Sequence, residues 1–88
     1  MVERQIKVTN ARGIHARPAS LIAQTSTKFK SDITLTKDGT SADAKSIMNV
    51  MILAATQNSE VIIRASGEDE NEAVDAIVEL FKKNFNEE

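Results

Sequence analysis

The chain lacks cysteine, tryptophan and tyrosine, and it contains one proline and one histidine. Without cysteine, it can form neither disulfides nor thiolate metal sites, and its core must be held by packing alone. One histidine and scattered carboxylates are a poor ligand set for zinc, so we expect neither a metal nor a cofactor. Three phenylalanines are too few to suggest nucleic-acid binding, which usually relies on stacking aromatics and a basic domain.

No stretch of the sequence is apolar for long. The longest apolar run, residues 50–55, is far too short to span a bilayer, and the first five residues lack the apolar segment of a signal peptide. We therefore expect a cytoplasmic protein without membrane insertion. A chain of 88 residues is expected to fold as one domain over residues 1–88, around one core.

The net charge of −2 hides an uneven distribution of charged residues. Residues 1–30 carry six Lys and Arg against one acidic residue, whereas residues 31–88 carry five against twelve. A basic first third suits an anionic ligand or an acidic partner surface. A small nucleic-acid-binding module is the rival interpretation, which steeply salt-dependent affinity for DNA or RNA would support.

The first half of the sequence predicts a strand, a helix and a hairpin. Residues 2–9 alternate between apolar and polar, as in a half-buried strand. From Ala16 the period becomes helical, with the proline confined to the first turn. The apolar stripe of this helix consists of Pro18, Leu21, Ile22 and Phe29. Asp38 and Gly39 then predict a tight hairpin between a strand near residues 32–36 and a weak edge strand near residues 40–44.

The second half predicts a short helix, a strand and a closing helix. Ser46 precedes a nearly all-apolar helix over residues 47–53. Val61, Ile62 and Ile63 are β-branched and predict a central strand that runs to about Ser66 and ends at Gly67. Asp69 and Glu72 indicate a variant of the capping box at the start of the last helix. The apolar stripe of that helix is Val74, Ile77, Val78, Phe81 and Phe85. The order β-α-β-β-α-β-α favours an α+β fold with helices on one face of an antiparallel sheet.

Residues 13–19, Gly-Ile-His-Ala-Arg-Pro-Ala, place His15 where a loop enters the first helix. The first N–H groups of a helix lack partners within it and, with the dipole, favour anions and disfavour protonated imidazole. Neutral imidazole is the nucleophilic form, and these N–H groups and Arg17 can stabilise a phosphorylated ring. From local chemistry alone, it is equally plausible that His15 caps the helix and that Arg17 is a solvated surface charge.

Residues 13–19 and the sequence Lys-Ser-Ile-Met at residues 45–48 closely resemble motifs of the histidine-containing phosphocarrier family, HPr. The two motifs stand at the family's usual separation. The resemblance covers nearly the whole chain and includes Asp38 and Gly39 in the hairpin and residues 67–70 before the last helix. It implies an open-faced sandwich, in which three helices cover a four-stranded antiparallel sheet of order 1-4-2-3.

The resemblance also implies a role in the phosphoenolpyruvate:sugar phosphotransferase system. There, enzyme I donates a phosphoryl group to HPr and sugar-specific enzyme IIA proteins receive it. His15 is then the acceptor, through Nδ1, and Arg17 binds the phosphoryl group and contacts partners. Such a protein is a covalently modified carrier and not an enzyme. We expect a monomer, because the surplus apolar face is assigned to transient partners.

The family docks its partners on a patch beside the active histidine, which matches seven residues here. They are Ala16, Ser20, Leu21 and Gln24 on the first helix, and Ile47, Met48 and Met51 on the second. Flexible methionine side chains suit a surface that must fit several partners. Core packing is the alternative for each of the three residues on the second helix, although so short and apolar a helix cannot bury all of them.

Ser46 has two interpretations. It is an ordinary N-cap on general grounds. In many Gram-positive members, however, HPr kinase/phosphorylase phosphorylates the matching serine, which hinders transfer from enzyme I and promotes binding to a transcriptional regulator. This sequence departs from the family pattern at Asn49, where Gly is usual, and at Ile52, where Ser or Thr is frequent. Both departures bear on the kinase and not on the His15 loop. A purely regulatory relative acting through Ser46 is a further rival, against which the presence of His15 argues.

Overall fold

The computed structural model describes residues 1–86, which form four strands and three helices in the predicted order. The strands are β1 (Val2–Lys7), β2 (Asp32–Lys37), β3 (Thr40–Asp43) and β4 (Glu60–Ser66). The helices are α1 (Ala16–Ser26), α2 (Ile47–Ile52) and α3 (Glu70–Lys82). A 3₁₀ turn over Asn84–Asn86 follows α3.

The four strands form one antiparallel sheet in the order β1-β4-β2-β3, which confirms the order that the resemblance implied. The register sets Ile6 opposite Val61, and Leu35 opposite both Ile63 and Ala42. Since successive side chains of a strand point to opposite faces, this register collects the apolar side chains on one face. The weak strand β3 lies at the edge, as predicted.

The three helices cover that apolar face and leave the other face of the sheet open. Helix α3 packs on β1, β4 and β2, α1 packs between α2 and α3, and α2 lies beside β3. Burying each large side chain of this core contributes about 1.5–3 kcal/mol. The largest fully buried apolar side chains are those of Phe81, Phe85, Ile22, Ile33, Leu35, Ile63 and Ile77. The open face carries polar pairs such as Glu3 and Arg64, whose Oε1 and Nε atoms are 2.9 Å apart.

Two predicted apolar stripes extend beyond their helices. Helix α1 ends at Ser26, so the half-buried Phe29 packs on the core from the turn that follows the helix. Helix α3 ends at Lys82, and Phe85 reaches the core through a left-handed turn in which its φ is 55°. Its ring meets that of Phe81 edge-on, with centroids 4.9 Å apart. The prediction that α3 continues to Phe85 is therefore wrong, although the burial of Phe85 is confirmed.

The first strand and the cap of α3 also differ from the prediction. Strand β1 ends at Lys7, two residues early, although Val8 still donates its N–H to the Ser59 carbonyl at 2.9 Å. Asp69 occupies the N-cap position of α3, but its carboxylate makes no capping bond to the helix. The predicted capping box with Glu72 is therefore wrong, because the carboxylate of Asp69 binds residues 30 and 31 instead.

Candidate functional site

The loop between β1 and α1 is a closed turn held by Asn10. The Asn10 side chain is 2% exposed, and its Nδ2 donates a 2.7 Å hydrogen bond to the Gly13 carbonyl. In return, the Gly13 N–H donates to the Asn10 carbonyl at 3.1 Å. Two hydrogen bonds between its first and last residues, Asn10 and Gly13, thus close the turn that leads to His15.

This turn lies against the segment that follows α2. Ile14 donates its N–H to the Ala55 carbonyl at 2.9 Å. Gly13 has a φ of +67°, and a Cβ atom there would lie 2.4 Å from the Ala55 carbonyl oxygen. Only glycine combines this left-handed conformation with so close an approach of two backbones. Gly13 therefore determines how closely the His15 loop packs against the backbone at Ala55.

His15 is the N-cap residue of α1, in extended conformation with a φ of −97°, and is half-buried. Its carbonyl accepts the Ala19 N–H at 3.0 Å, which starts the helix. His15 therefore occupies the cap position, as the alternative interpretation has it, but its imidazole makes no capping hydrogen bond to the helix. Because the first turn contains no acidic side chain, the positive end of the helix dipole next to His15 is not offset within that turn.

Arg17 lies in the first turn of α1, two residues after His15, and is exposed. Among residues 1–86, its guanidinium has no carboxylate partner and no hydrogen bond. An exposed guanidinium in this position can bind an anion through two parallel N–H donors.

The apolar side chains of α2 are exposed. Ile47 is 42% exposed, Met48 74% and Met51 43%, so the alternative that these residues pack into the core is wrong. Val50 is the buried residue of this helix, because a helix of six residues has only one face toward the sheet. One apolar residue of α2 is thus buried in the core. The other four are exposed: Ile47, Met48, Met51 and Ile52.

The predicted docking residues of α1 are at least partly accessible. Ala16 and Gln24 are exposed, while Ser20 and Leu21 are half-buried. The helices α1 and α2 pack against each other, and an open groove of about 390 Å³ runs between them. The groove is lined by Ala23, Gln24, Thr27, Lys45, Ser46, Ile47 and Met48. It brings Gln24 together with Ile47 and Met48.

Ser46 lies at the N-cap of α2, where its side-chain oxygen accepts the Asn49 N–H. The predicted cap is confirmed. Ser46 is half-buried on one wall of the groove, beside Lys45. The Lys45 ammonium donates to the Phe29 carbonyl at 3.0 Å and thereby ties the start of α2 to the turn after α1.

The contacts that hold the His15 loop in place were not predicted from the sequence. No role is predicted there for Asn10, although an Asn three residues before a Gly is a pattern that favours a closed turn. Ala55 contributes its backbone carbonyl, and a contact made by a backbone atom cannot be recognised from the residue type. Ala54 next to it has a φ of 52°, an uncommon conformation for a residue other than glycine.

Among the described residues, none of the helices has the length and apolar character needed to cross a bilayer. Within residues 1–86, no three His, Asp or Glu side chains are grouped so that they could hold a metal ion.

The chain is similar to known proteins over its whole length. The family model for the PTS HPr component phosphorylation site matches residues 2–83. Phosphocarrier protein HPr of Xylella fastidiosa strain Temecula1 is 47% identical over 88 residues, which cover 100% of this chain and 99% of that protein.

Solved structures agree with this similarity. A crystal structure of HPr from Thermoanaerobacter tengcongensis superimposes with a TM-score of 0.96 at 45% identity, covering 100% of this chain and 99% of the other. An HPr dimer from the same organism gives a TM-score of 0.79 at 45% identity, covering 99% and 100%. The chain therefore belongs to the HPr family, the phosphocarrier proteins of the phosphotransferase system.

Proposed function

We propose that His15 accepts a phosphoryl group from phospho-enzyme I and passes it to sugar-specific enzyme IIA proteins. The neutral imidazole attacks phosphorus through Nδ1, the bond from phosphorus to the donor breaks, and a nitrogen–phosphorus bond to His15 forms. In the next transfer a nucleophile of the enzyme IIA protein attacks the same phosphorus, the nitrogen–phosphorus bond to His15 breaks, and the free imidazole is restored. The chain is consumed and regenerated as a substrate of its partners, so it is a carrier and not an enzyme. The observation that carries this proposal is the position of His15 at the N-terminus of α1.

The electrostatics of this position suit a group that must arrive and leave. A phosphorylated ring carries a dianion beside the positive end of α1, an interaction worth roughly 0.3–2 kcal/mol. The exposed Arg17 adds a second, flexible partner for the phosphoryl oxygens. Such moderate stabilisation holds the group between encounters without trapping it.

We call the surface formed by Ala16, Ser20, Leu21, Gln24, Ile47, Met48 and Met51 the docking surface. Its exposed apolar side chains on α2 lie beside the groove to α1, where a partner can bury them. A modest apolar centre suits complexes that must dissociate between transfers. The basic first third of the chain favours fast association with acidic partner surfaces.

Ser46 serves as a regulatory site under this proposal. A phosphate there sits at the N-terminus of α2 and adds negative charge to the wall of the groove, next to Ile47 and Met48. This charge opposes an acidic partner on the docking surface. The enzyme that adds it is HPr kinase/phosphorylase, and a transcriptional regulator is the expected partner of the modified form.

The remaining expectations concern the molecule as a whole. We propose a single phosphocarrier domain over residues 1–88 that acts in the cytoplasm as a monomer. Because a similar HPr structure is a dimer, the oligomeric state of this chain needs a direct measurement. Sedimentation at several concentrations separates the two states, and a concentration-independent monomer mass is the expected result.

The direct test is incubation of the chain with enzyme I and phosphoenolpyruvate, followed by intact mass and ³¹P NMR. One acid-labile, base-stable phosphate is expected in the wild type and none in His15→Ala. Circular dichroism confirms that the variant is folded. A verified active donor that leaves the wild type unmodified would falsify the phosphocarrier role of His15.

A further inference from the structure

The carbonyl of Gly13 accepts two hydrogen bonds that join Asn10 to His15. Asn10 Nδ2 donates to it at 2.7 Å, and the backbone N–H of His15 donates to the same oxygen at 3.2 Å. The orientation of this carbonyl therefore fixes the peptide that carries His15. The side chain that holds the carbonyl in place is that of Asn10.

Asn10 acts from inside the protein. Its side chain is 2% exposed, so it has almost no surface to offer an incoming donor or acceptor protein. Burial also strengthens its role, because a buried hydrogen bond is costly to leave unmade. Its hydrogen bond to the Gly13 carbonyl therefore links Asn10 to His15 through the loop.

Two further anchors of this loop belong to the backbone. The Ala55 carbonyl accepts the Ile14 N–H at 2.9 Å, and Gly13 allows the close approach to Ala55. These contacts fix how deeply the loop lies, whereas the Asn10 amide closes the turn from within. Within the described turn over residues 10–13, Asn10 is the residue whose side chain makes the closing bond.

We propose that Asn10 is a positioning residue for phosphoryl transfer, which holds His15 at the angle and depth at which its ring meets the donor phosphorus. This inference rests on the proposed function of His15. Transfer between two proteins requires an aligned attack, and a displacement on the order of 1 Å can lower the rate by roughly 100-fold. Asn10 supplies this alignment through its hydrogen bond to the Gly13 carbonyl.

The test compares Asn10→Ala with wild type in phosphoryl transfer from phospho-enzyme I, with the carrier concentration varied. The docking surface is unchanged by the substitution, so KM should stay the same while kcat falls by roughly 10- to 100-fold. Ile33→Val, at a buried position of β2, is the control for a general loss of stability, and it should change neither constant. An Asn10→Ala variant with wild-type kcat, or with a change in KM alone, overturns the proposal.

Amide hydrogen exchange gives a readout that does not depend on transfer. In Asn10→Ala, the amides of Ile14 and His15 should exchange faster, while that of Ile63 in β4 keeps its wild-type rate relative to global unfolding. Equal protection of the loop amides in both proteins overturns the proposal. If Asn10→Ala does not fold, Asn10→Ser is put through the same two measurements with the same criteria.

The two hypotheses fail differently. If wild-type protein takes no phosphate from an active donor, the proposed function fails. If wild type is phosphorylated on His15 and the Asn10 variants transfer as fast, only the positioning role fails.

Discussion

The side-chain amide of Asn49 donates a 2.9 Å hydrogen bond to the hydroxyl oxygen of Ser46, which also accepts the Asn49 backbone N–H at 3.3 Å. Both lone pairs of the hydroxyl are therefore engaged in the cap of α2. Glycine, the usual family residue at position 49, can donate only the backbone N–H. A kinase that phosphorylates Ser46 in this chain has to displace the additional amide donor.

The cap predicts a measurable loss in Ser46→Ala. Removing the acceptor leaves the first N–H groups of α2 without their side-chain partner, and the free energy of unfolding should fall by about 1 kcal/mol. Urea denaturation followed by circular dichroism measures this change. Asn49→Ala should lose less, because it removes one exposed donor and keeps the backbone bond. The exposed Ser66, at the end of β4, provides the control Ser66→Ala, and an equal loss there contradicts the role of the cap.

The exposure of α2 predicts that Met48→Ala weakens docking without affecting the fold. Met48 is 74% exposed, so its truncation should leave the melting temperature within about 1 °C of wild type. The loss of an apolar contact at the centre of a small interface should raise KM for phosphoryl transfer about 5- to 30-fold, with kcat retained. Gln5→Ala, on the open face of the sheet, should change neither value. An unchanged KM in Met48→Ala removes this residue from the docking surface.

Arg17 should matter for transfer and not for stability. Its guanidinium is exposed and has no carboxylate partner among residues 1–86, so Arg17→Gln should unfold at the wild-type urea concentration. The loss of one exposed, charge-assisted contact should slow transfer about tenfold, which corresponds to about 1.4 kcal/mol. Arg12→Gln removes another exposed cation, three residues before His15, and controls for general charge. If both variants slow transfer to the same extent, Arg17 contributes only to the long-range field.

Much of the fold could be predicted because its signals are local. The hairpin needs positive φ at both central residues, and Asp38 and Gly39 indeed have φ values of 51° and 81°. Ser46 precedes an apolar run and caps it. The order of the strands, by contrast, came from family resemblance, because alternation determines which face a residue occupies but not which strand lies beside it.

The predictions are wrong where contacts with residues distant in sequence override a local sequence pattern. Asp69 has the spacing of a capping residue, yet its carboxylate accepts the N–H groups of Lys30 and Ser31 at 2.9 Å each, as well as the Ser31 hydroxyl. Phe85 continues the helical stripe in sequence but is placed by the core through a left-handed turn. Ala55 enters the site through its carbonyl alone, which residue type does not encode.

The contacts of Asp69 predict a pH-dependent contribution to stability. The hydrogen bond from the Ser31 hydroxyl, followed by that from the Lys30 N–H, lowers the pKa of Asp69 below its ordinary value of 3.8. Because the folded pKa is depressed, this stabilisation is fully present above the unfolded pKa and is lost as the pH falls through the folded pKa. Asp69→Asn should therefore be less stable than wild type at pH 7, and the difference should shrink as the pH falls below about 4.

Urea denaturation of both proteins over this pH range checks the prediction, with the exposed Asp32→Asn as a matched control on β2. A difference between Asp69→Asn and wild type that stays constant down to the acid limit assigns the effect to lost geometry and not to charge.

Gly13 and Gly39 both have positive φ in turns, but their surroundings predict a contrast between Gly13→Ala and Gly39→Ala. Gly39 has a φ of +81° and no atom within 4 Å of a Cβ, so alanine there meets only the conformational cost, about 1–2 kcal/mol. At Gly13 the same cost is joined by a contact of 2.4 Å with the Ala55 carbonyl oxygen, which forces the two backbones apart and adds about 1–3 kcal/mol. Gly13→Ala should thus lose about 2–5 kcal/mol in urea denaturation. It should also transfer phosphate more slowly, whereas Gly39→Ala should transfer at the wild-type rate because Gly39 belongs neither to the His15 loop nor to the docking surface. Equal destabilisation of the two variants would mean that the loop can move away from Ala55 at little cost, and slow transfer in Gly39→Ala would point to a general effect of the alanine substitutions.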